Sequence, residues 1–231
     1  MSLKIEQGTE MNRIKIISFD VDGTLVTPDF SYAVWFEGIP TLYAKRHNVS
    51  LEEAREFADK EYRQIGEWRI EWYDIKYWFE RFKLGNCYQK VLEDYRHKVS
   101  CYAEVPEALS SLGKDYKLIV ISSSTREFLD YLLDGLDGYF AEVFSTVSDF
   151  SQVKTPEFYL EICRLMHIAP DEMAHVGDLW DVDYVAPRKA GIRAFHLDRK
   201  KTRADGKSLT SLADLELRLK ERRRNDDNEE G

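Results

Sequence analysis

Residues Ile14 to Leu25 read IKIISFDVDGTL. A β-branched run that halts at a carboxylate has the pattern of a buried strand ending at a site. In an open parallel sheet, ligands bind beyond the carboxyl ends of the strands, so Asp20 and Asp22 project into that crevice. Two carboxylates so close in sequence repel each other unless a cation or a shared proton separates them. Gly23 permits a tight turn behind them, and the Thr24 hydroxyl can satisfy exposed backbone groups. A DxDGT run by itself also fits a turn or a calcium-loop fragment, but its place directly after a buried strand argues for a site.

Similar apolar runs follow much later in the chain: Lys117 to Ile121 (KLIVI), Met173 to Val176 (MAHV) and Ile192 to Leu197 (IRAFHL), with Glu142 to Thr146 a weaker one. Helical patterns lie between them over 106–112, 125–133, 156–167 and 182–190, the last closed by Gly191. Strand alternating with helix predicts an α/β fold, a parallel sheet covered on both faces. Residues 28–103 break that rhythm and read as successive helices. This inserted module holds 17 of the 30 aromatic residues, including four of the five Trp, which predicts a dense core of its own. Trp68, Trp72, Ile75, Phe79 and Phe82 recur at helical spacing, as expected for one helix face packed inside the module, with a substrate-facing lining as the alternative. The expected organisation is a core over 11–27 and 104–222, a helical module over 28–103 with a last helix of the core near Leu209 to Lys220, and a frayed, charged tail over 223–231.

The 231 residues allow one large domain or one domain with a smaller module, and 43% hydrophobic with 32% charged residues excludes fibrous and wholly disordered classes. A net charge of −9 repels polyanions, so nucleic acid is not expected as a partner. No apolar stretch approaches membrane-spanning length and the N-terminus does not resemble a signal peptide, so no membrane association and a cytoplasmic location are expected. Cys87, Cys101 and Cys163 form neither a CxxC pair nor an even framework and read as reduced, mostly buried thiols. Met1 to Leu3 and Glu230-Gly231 look like expression remnants and carry no fold argument.

A second acidic cluster, Gly177-Asp178-Leu179-Trp180-Asp181-Val182-Asp183, again follows a strand and opens a helix. Acids from two strand ends make an oxygen-rich site suited to a hard octahedral cation such as Mg²⁺. Asp181 reads as a helix cap rather than a ligand; Asp183 is the better ligand candidate. Ser122 ends KLIVI, where its hydroxyl and the following amides suit a phosphate oxygen or simply cap a helix. Lys154 precedes Thr155-Pro156, a helix start, and taken alone reads as a surface residue.

DVDGT, a hydrophobic strand ending in Ser, a Lys before a Pro-initiated helix, and GD with a second Asp five residues on occur here in that order. The set resembles the haloacid dehalogenase (HAD) superfamily, over about Ile14 to Leu197. The resemblance implies a Rossmann-like, three-layer parallel-sheet core, with residues 28–103 as an inserted α-helical cap of the C1 type. It implies that Asp20 is the nucleophile forming an aspartyl-phosphate and that Asp22 is the general acid and then base. Ser122 would bind the phosphoryl group and Lys154 would balance its charge. Mg²⁺ would be held by Asp20, the Asp22 carbonyl, Asp178 and Asp183. Two departures leave the subfamily open: Ser123 stands where relatives often carry Asn, and Thr155 separates Lys154 from Pro156. His175 reads as a buried structural residue, and His47, His97, His167 and His196 receive no role.

The resemblance therefore predicts a Mg²⁺-dependent phosphatase of small phosphorylated substrates, acting as a monomer or homodimer. The alternatives are a phosphomutase, a 2-haloacid dehalogenase, which would not need Asp22, and a non-catalytic binding module, which would be expected to have lost the acids. Phosphoglycolate, sugar phosphates and nucleotides all remain as substrates. Lys45, Arg46, Arg63, Arg69 and Lys76 of the insert could grip an anionic leaving group, although a solvated charged face is their ordinary role.

Overall fold

The computed structural model describes residues 14–203 and 208–219. Met1 to Leu3 and the tail over 223–231 lie outside the described residues. Strand β1 (Ile16–Phe19) leads into the insert, which comprises α1 (Asp29–Ala33), a π-helical turn Val34–Gly38, α2 (Ile39–His47), α3 (Leu51–Ile65), a 3₁₀ turn Ile70–Trp72, α4 (Ile75–Arg81) and α5 (Tyr88–Tyr95). The chain continues with α6 (Val105–Leu112), β2 (Lys117–Ser122), α7 (Arg126–Leu132), β3 (Glu142–Ser145), α8 (Thr146–Phe150), α9 (Pro156–Leu165), β4 (Met173–Gly177), α10 (Ala186–Lys189) and β5 (Arg193–His196). A last helix covers 212–219. The five strands form one sheet in the order β3-β2-β1-β4-β5, and every pairing is parallel. The protein thus has the Rossmann-type α/β architecture expected, with a helical insertion after β1.

Alternation along the strands sorts their side chains between two helical layers. Ile17 and Phe19 of β1, Leu118 and Val120 of β2, and Ala174 and Val176 of β4 pack on the face covered by α6, α7 and the last helix. Ile16, Ile119, Ile121 and Met173 face the other way, against Phe158, Tyr159 and Ile162 of α9. On that second face the alternation also places two polar residues, Ser18 and His175, both fully buried.

The insert differs from the sequence expectation in two respects. Its aromatic core is not separate: Trp35 stacks on Phe128 of α7 at 5.2 Å and 14°, Phe30 stacks on Tyr131 at 5.7 Å, and one continuous apolar cluster runs from Trp78 and Phe79 to β1. The periodic face from Trp68 to Phe82 is also interrupted. Gly66, at φ +74°, ends α3, and the Asp74 carboxylate caps α4 by accepting from the Lys76 amide at 2.9 Å. Trp68 is therefore 58% exposed and Trp72 sits on the 3₁₀ turn, while Ile75, Phe79 and Phe82 are buried as expected. Cys163 is buried, but Cys87 and Cys101 are only half-buried; all three are free thiols.

Two short linkers join the insert to the sheet side by side, with Thr27 donating to the Ser100 carbonyl and Tyr102 to the Leu25 carbonyl. Arg199, beyond β5, donates to the Thr24 carbonyl at 2.7 Å, pairs with Glu104 at 2.6 Å and lies over the Tyr102 ring.

Trp78 is fully buried, meets Tyr62 edge-on at 4.6 Å and donates its indole N–H to the Trp72 carbonyl at 3.2 Å. Replacing it with Ala removes a large packed ring, so Trp78→Ala should cost about 3–5 kcal/mol, read as a lowered urea midpoint.

Candidate active site

The three central strands end at the same level, and their last residues converge. Asp20 follows β1 and donates its amide to the Val176 carbonyl of β4; Ser122 ends β2; Gly177 ends β4, with Asp178 next. Lys154 reaches the same point from the turn before α9, where the Thr155 hydroxyl accepts from the Phe158 amide and Pro156 occupies the first helical turn. The Lys154 ammonium donates to Asp20 Oδ1 and to Asp183 Oδ1, both at 2.6 Å, and is almost completely buried. It is not the surface residue that its local sequence alone suggests.

Asp183 arrives by an unexpected route. The helix after β4 opens as a π-helical turn, Trp180–Val185, and becomes α10 only at Ala186. Such widened turns are frequent at functional sites. Within this one, Asp183 points inward and accepts from the Leu179 amide at 3.1 Å, so Asp183 performs the capping expected of Asp181, which is exposed. His175 closes the arrangement from below. Its Nε2 lies 3.2 Å from Asp183 Oδ1 and 3.0 Å from the Tyr159 hydroxyl, and its Nδ1 lies 2.8 Å from Ser18 Oγ. The Tyr159 hydroxyl donates to the Val182 carbonyl at 2.9 Å. Burial holds His175 below the ordinary imidazole pKa, so the ring is neutral, with Nε2 facing Asp183 and Nδ1 facing Ser18, whose hydroxyl donates to the Ala174 carbonyl at 3.2 Å. His175 is thus buried as expected, and it also orients a site carboxylate. His196, assigned no role by sequence, braces Asp178 by donating to its backbone carbonyl at 2.9 Å. Neither contact has a local sequence signal: the first needs the π-helical turn to fold Asp183 back onto its own strand, and the second joins the ends of neighbouring strands.

The carboxylates differ in their surroundings. For Asp183, burial alone would raise the pKa, but Lys154 and His175 overcome it and hold the group well below the usual carboxylate range. Asp20 is pushed up to about 6, with burial outweighing the attraction of Lys154. Asp178 is raised well above the ordinary value by burial and by the charges of Asp20 and Asp183. Asp22 is pushed up to about 7 by burial, opposed by the Ser31 hydroxyl and reinforced by Asp20 and Asp29. Its residue retains some exposure, yet Oδ1 is out of contact with solvent. Ser31, from α1 of the insert, is the neighbour that sequence reading missed; its hydroxyl is buried without a hydrogen-bond partner among the described residues.

Asp20, Asp178 and Asp183 each offer an oxygen within 4.8 Å of the other two. Asp178 Oδ1 and Asp22 Oδ1 are buried without a hydrogen-bond partner among the described residues. An all-oxygen donor set with surplus negative charge and unsatisfied acceptors fits a hard divalent cation. Gly23 makes the approach possible: it adopts φ +79°, and a Cβ there would land on the Asp178 carboxylate. Thr24 does not perform the expected backbone capping, since its hydroxyl is buried without a partner among the described residues. Ser122 is oriented toward the cavity by the Ser124 amide, which donates to its Oγ at 3.2 Å and leaves the hydroxyl proton free to be donated elsewhere.

Above this floor lies a cavity of about 430 Å³ lined by all of Asp20, Asp22, Ser122, Lys154 and Asp178, with a wall of aromatic residues from the insert. Asp183 supports the floor from beneath. A family model described as haloacid dehalogenase-like hydrolase matches residues 14–191, most of the chain and every one of these side chains. The chain belongs to the haloacid dehalogenase-like hydrolases. Among solved HAD structures it is similar to a HAD phosphatase from Thermococcus onnurineus, with a TM-score of 0.79 and 25% identity, covering 89% of this chain and 98% of that one. It shares its fold with a 2-haloacid dehalogenase from Pseudomonas syringae, with a TM-score of 0.64 and 22% identity, covering 90% of this chain and 99% of that one. Among curated proteins it matches the GMP/IMP nucleotidase YrfG of Escherichia coli at 27% identity over 74 residues, 32% of this chain and 33% of that protein. That match spans about a third of the relative's length.

Removing Lys154 while keeping its two partners leaves buried, mutually repelling carboxylates, a loss of about 3–5 kcal/mol. Lys154→Met should therefore unfold at markedly lower denaturant, and adding Asp183→Asn to it should restore part of the loss in a double-mutant cycle.

Proposed function

We propose that the protein is a Mg²⁺-dependent phosphatase that hydrolyses small phosphate monoesters through an aspartyl-phosphate, with residues 28–103 acting as a cap. The observation that carries this reading is the state of Asp22. Its carboxyl group lines the cavity beside the proposed nucleophile with Oδ1 buried and unpartnered among the described residues, and that burial raises its pKa, as suits a group that first gives and then takes a proton. Displacement of halide from carbon has no use for such an acid, so the dehalogenase likeness is read as fold alone. The phosphatase and nucleotidase among the similar proteins support the same conclusion.

In this mechanism the Asp20 carboxylate attacks phosphorus in line with the ester oxygen. The phosphorus–oxygen bond to the alcohol breaks as Asp22 delivers its proton to the departing oxygen. Ser122 donates a hydrogen bond to the transferring phosphoryl group, and Lys154 offsets its charge. Asp22, now a carboxylate, takes a proton from the incoming water, whose oxygen attacks phosphorus and returns Asp20 to its free form. Asp20, Asp178, Asp183 and the Asp22 backbone carbonyl would hold Mg²⁺, which supplies charge neutralisation and orientation at the phosphoryl oxygens.

Asp20→Asn should abolish turnover of any phosphomonoester while leaving the circular dichroism spectrum intact, since the covalent acceptor is lost. Exhaustive chelation should stop phosphate release and Mg²⁺ should restore it, with Ca²⁺ a poor substitute because of its larger, looser shell. Activity that survives chelation would count against the reading.

Asp22→Asn separates the acid role from the others. An alkyl phosphate should be slowed about 10²- to 10⁴-fold, the usual contribution of a general acid. An aryl phosphate with an acidic leaving group should still phosphorylate Asp20, giving one burst of phenol per site in stopped flow followed by slow hydrolysis.

A further inference from the structure

We infer that the preferred substrate is the monoester of an alcohol that bears a planar aromatic ring and no second anionic group. This inference rests on the phosphatase reading and concerns which leaving group the cavity accepts.

The wall opposite the carboxylate floor is aromatic. Trp35 and Phe128 are nearly parallel in a stack, Trp72 is fastened by the Trp78 indole through its carbonyl, and Tyr32 and Phe36 pair at 5.0 Å nearer the mouth, with Tyr32 59% exposed. Tyr73 extends toward Ser123, and its phenol is pushed up to about 12 by burial, so it stays neutral. A wall of this kind offers flat apolar surface for stacking.

Charge points the same way. Among the described residues, Lys154 is the one basic residue lining the cavity, and two carboxylates already engage it, whereas Asp20, Asp22, Asp178 and Glu67 are acidic. The bases of the insert that could have gripped an anion are directed elsewhere. Arg63 pairs with Asp59, Arg69 with Glu71 and Lys76 with Glu127, while Lys45 and Arg46 lie exposed on α2; none lines the cavity. A second phosphate or a carboxylate on the leaving group would enter a largely apolar space without a counter-charge and pass Glu67, which is a cost. The same Glu67 carboxylate suits a ring amine or ring N–H. Size agrees: about 430 Å³ lies within the roughly 300–1,000 Å³ of small-molecule sites, and glycolate would leave most of it unfilled.

The test is phosphate release by the Mg²⁺-loaded enzyme from acetyl phosphate, phosphoglycolate, glucose 1,6-bisphosphate, glycerol 1-phosphate, benzyl phosphate and the purine and pyrimidine nucleoside 5′-monophosphates. Expected is a kcat/KM for the nucleotides or benzyl phosphate at least about tenfold above that for phosphoglycolate and the bisphosphate, the difference between nucleotide and benzyl ester identifying the source of the ring. Trp72→Ala should lower the ratio of kcat/KM for the aromatic ester to that for glycerol phosphate by about tenfold, mainly through KM, and Trp72→Phe should keep it. Glu67→Lys, a change at an exposed position, should raise phosphoglycolate relative to the aromatic esters, and it carries the test if Trp72→Ala loses its fold by circular dichroism. Turnover of acetyl phosphate with phosphoglycolate or the bisphosphate leading the ranking, or a ratio unmoved by both substitutions, would overturn the inference and leave the phosphatase reading standing. Release from none of the esters, acetyl phosphate included, would remove the phosphatase reading and this inference with it.

Discussion

One buried ammonium holds the site together. Lys154 sits between Asp20 and Asp183 at hydrogen-bond distance from both, and the three groups are almost entirely removed from solvent. Burying that much charge is tolerable only because each member satisfies another, and because His175 and the Leu179 amide take up further lone pairs of Asp183. The arrangement also divides the labour among the acids. Asp183 takes the strongest share of positive charge and stays ionised. Asp20, Asp22 and Asp178 are left with more carboxylate than the lysine can balance, and burial drives their pKa values up. That imbalance is what makes the floor receptive to a divalent cation.

The opposite wall matters through what it lacks. The aromatic side chains of the insert contribute almost no charge, so the floor acts through a medium that screens poorly. The raised pKa of Asp22 follows from this enclosure, since burial excludes water from one of its oxygens and outweighs the opposing effect of Ser31 from the insert. Insert and sheet share one apolar cluster through Phe30, Trp35 and Phe128, so the helix that follows the Ser122 loop backs the aromatic wall of the insert through Phe128.

Much of this was legible in the chain. The strand ending at Asp20, the Ser after KLIVI, the GD pair and the Pro-initiated helix after Lys154 are local patterns, and each lies where the pattern places it. Local patterns failed where two geometries share one spacing. The apolar recurrence from Trp68 to Phe82 suits a single helix, but Gly66 and the Asp74 cap divide it, which turns Trp72 toward the cavity and leaves Trp68 in solvent. Asp181 and Asp183 both looked like residues of a first helical turn, and only the π-helical widening decides which of them points inward.

The sequence by itself determined the alternation of strand and helix, the insertion after the first strand and the identities of the acids, because backbone periodicity and turn chemistry act over a few residues. The parallel order of the strands brought Asp20, Ser122 and Asp178 to one edge, 158 positions apart at the extremes, and that followed from packing both faces of the sheet. Only the tertiary structure decided that Lys154 is buried, that His175 and His196 brace two of the acids, that Ser31 faces Asp22, and that the basic residues of the insert turn away from the cavity. Each of these depends on which charges come within hydrogen-bond reach after folding, a quantity set by distance in space and not by separation along the chain.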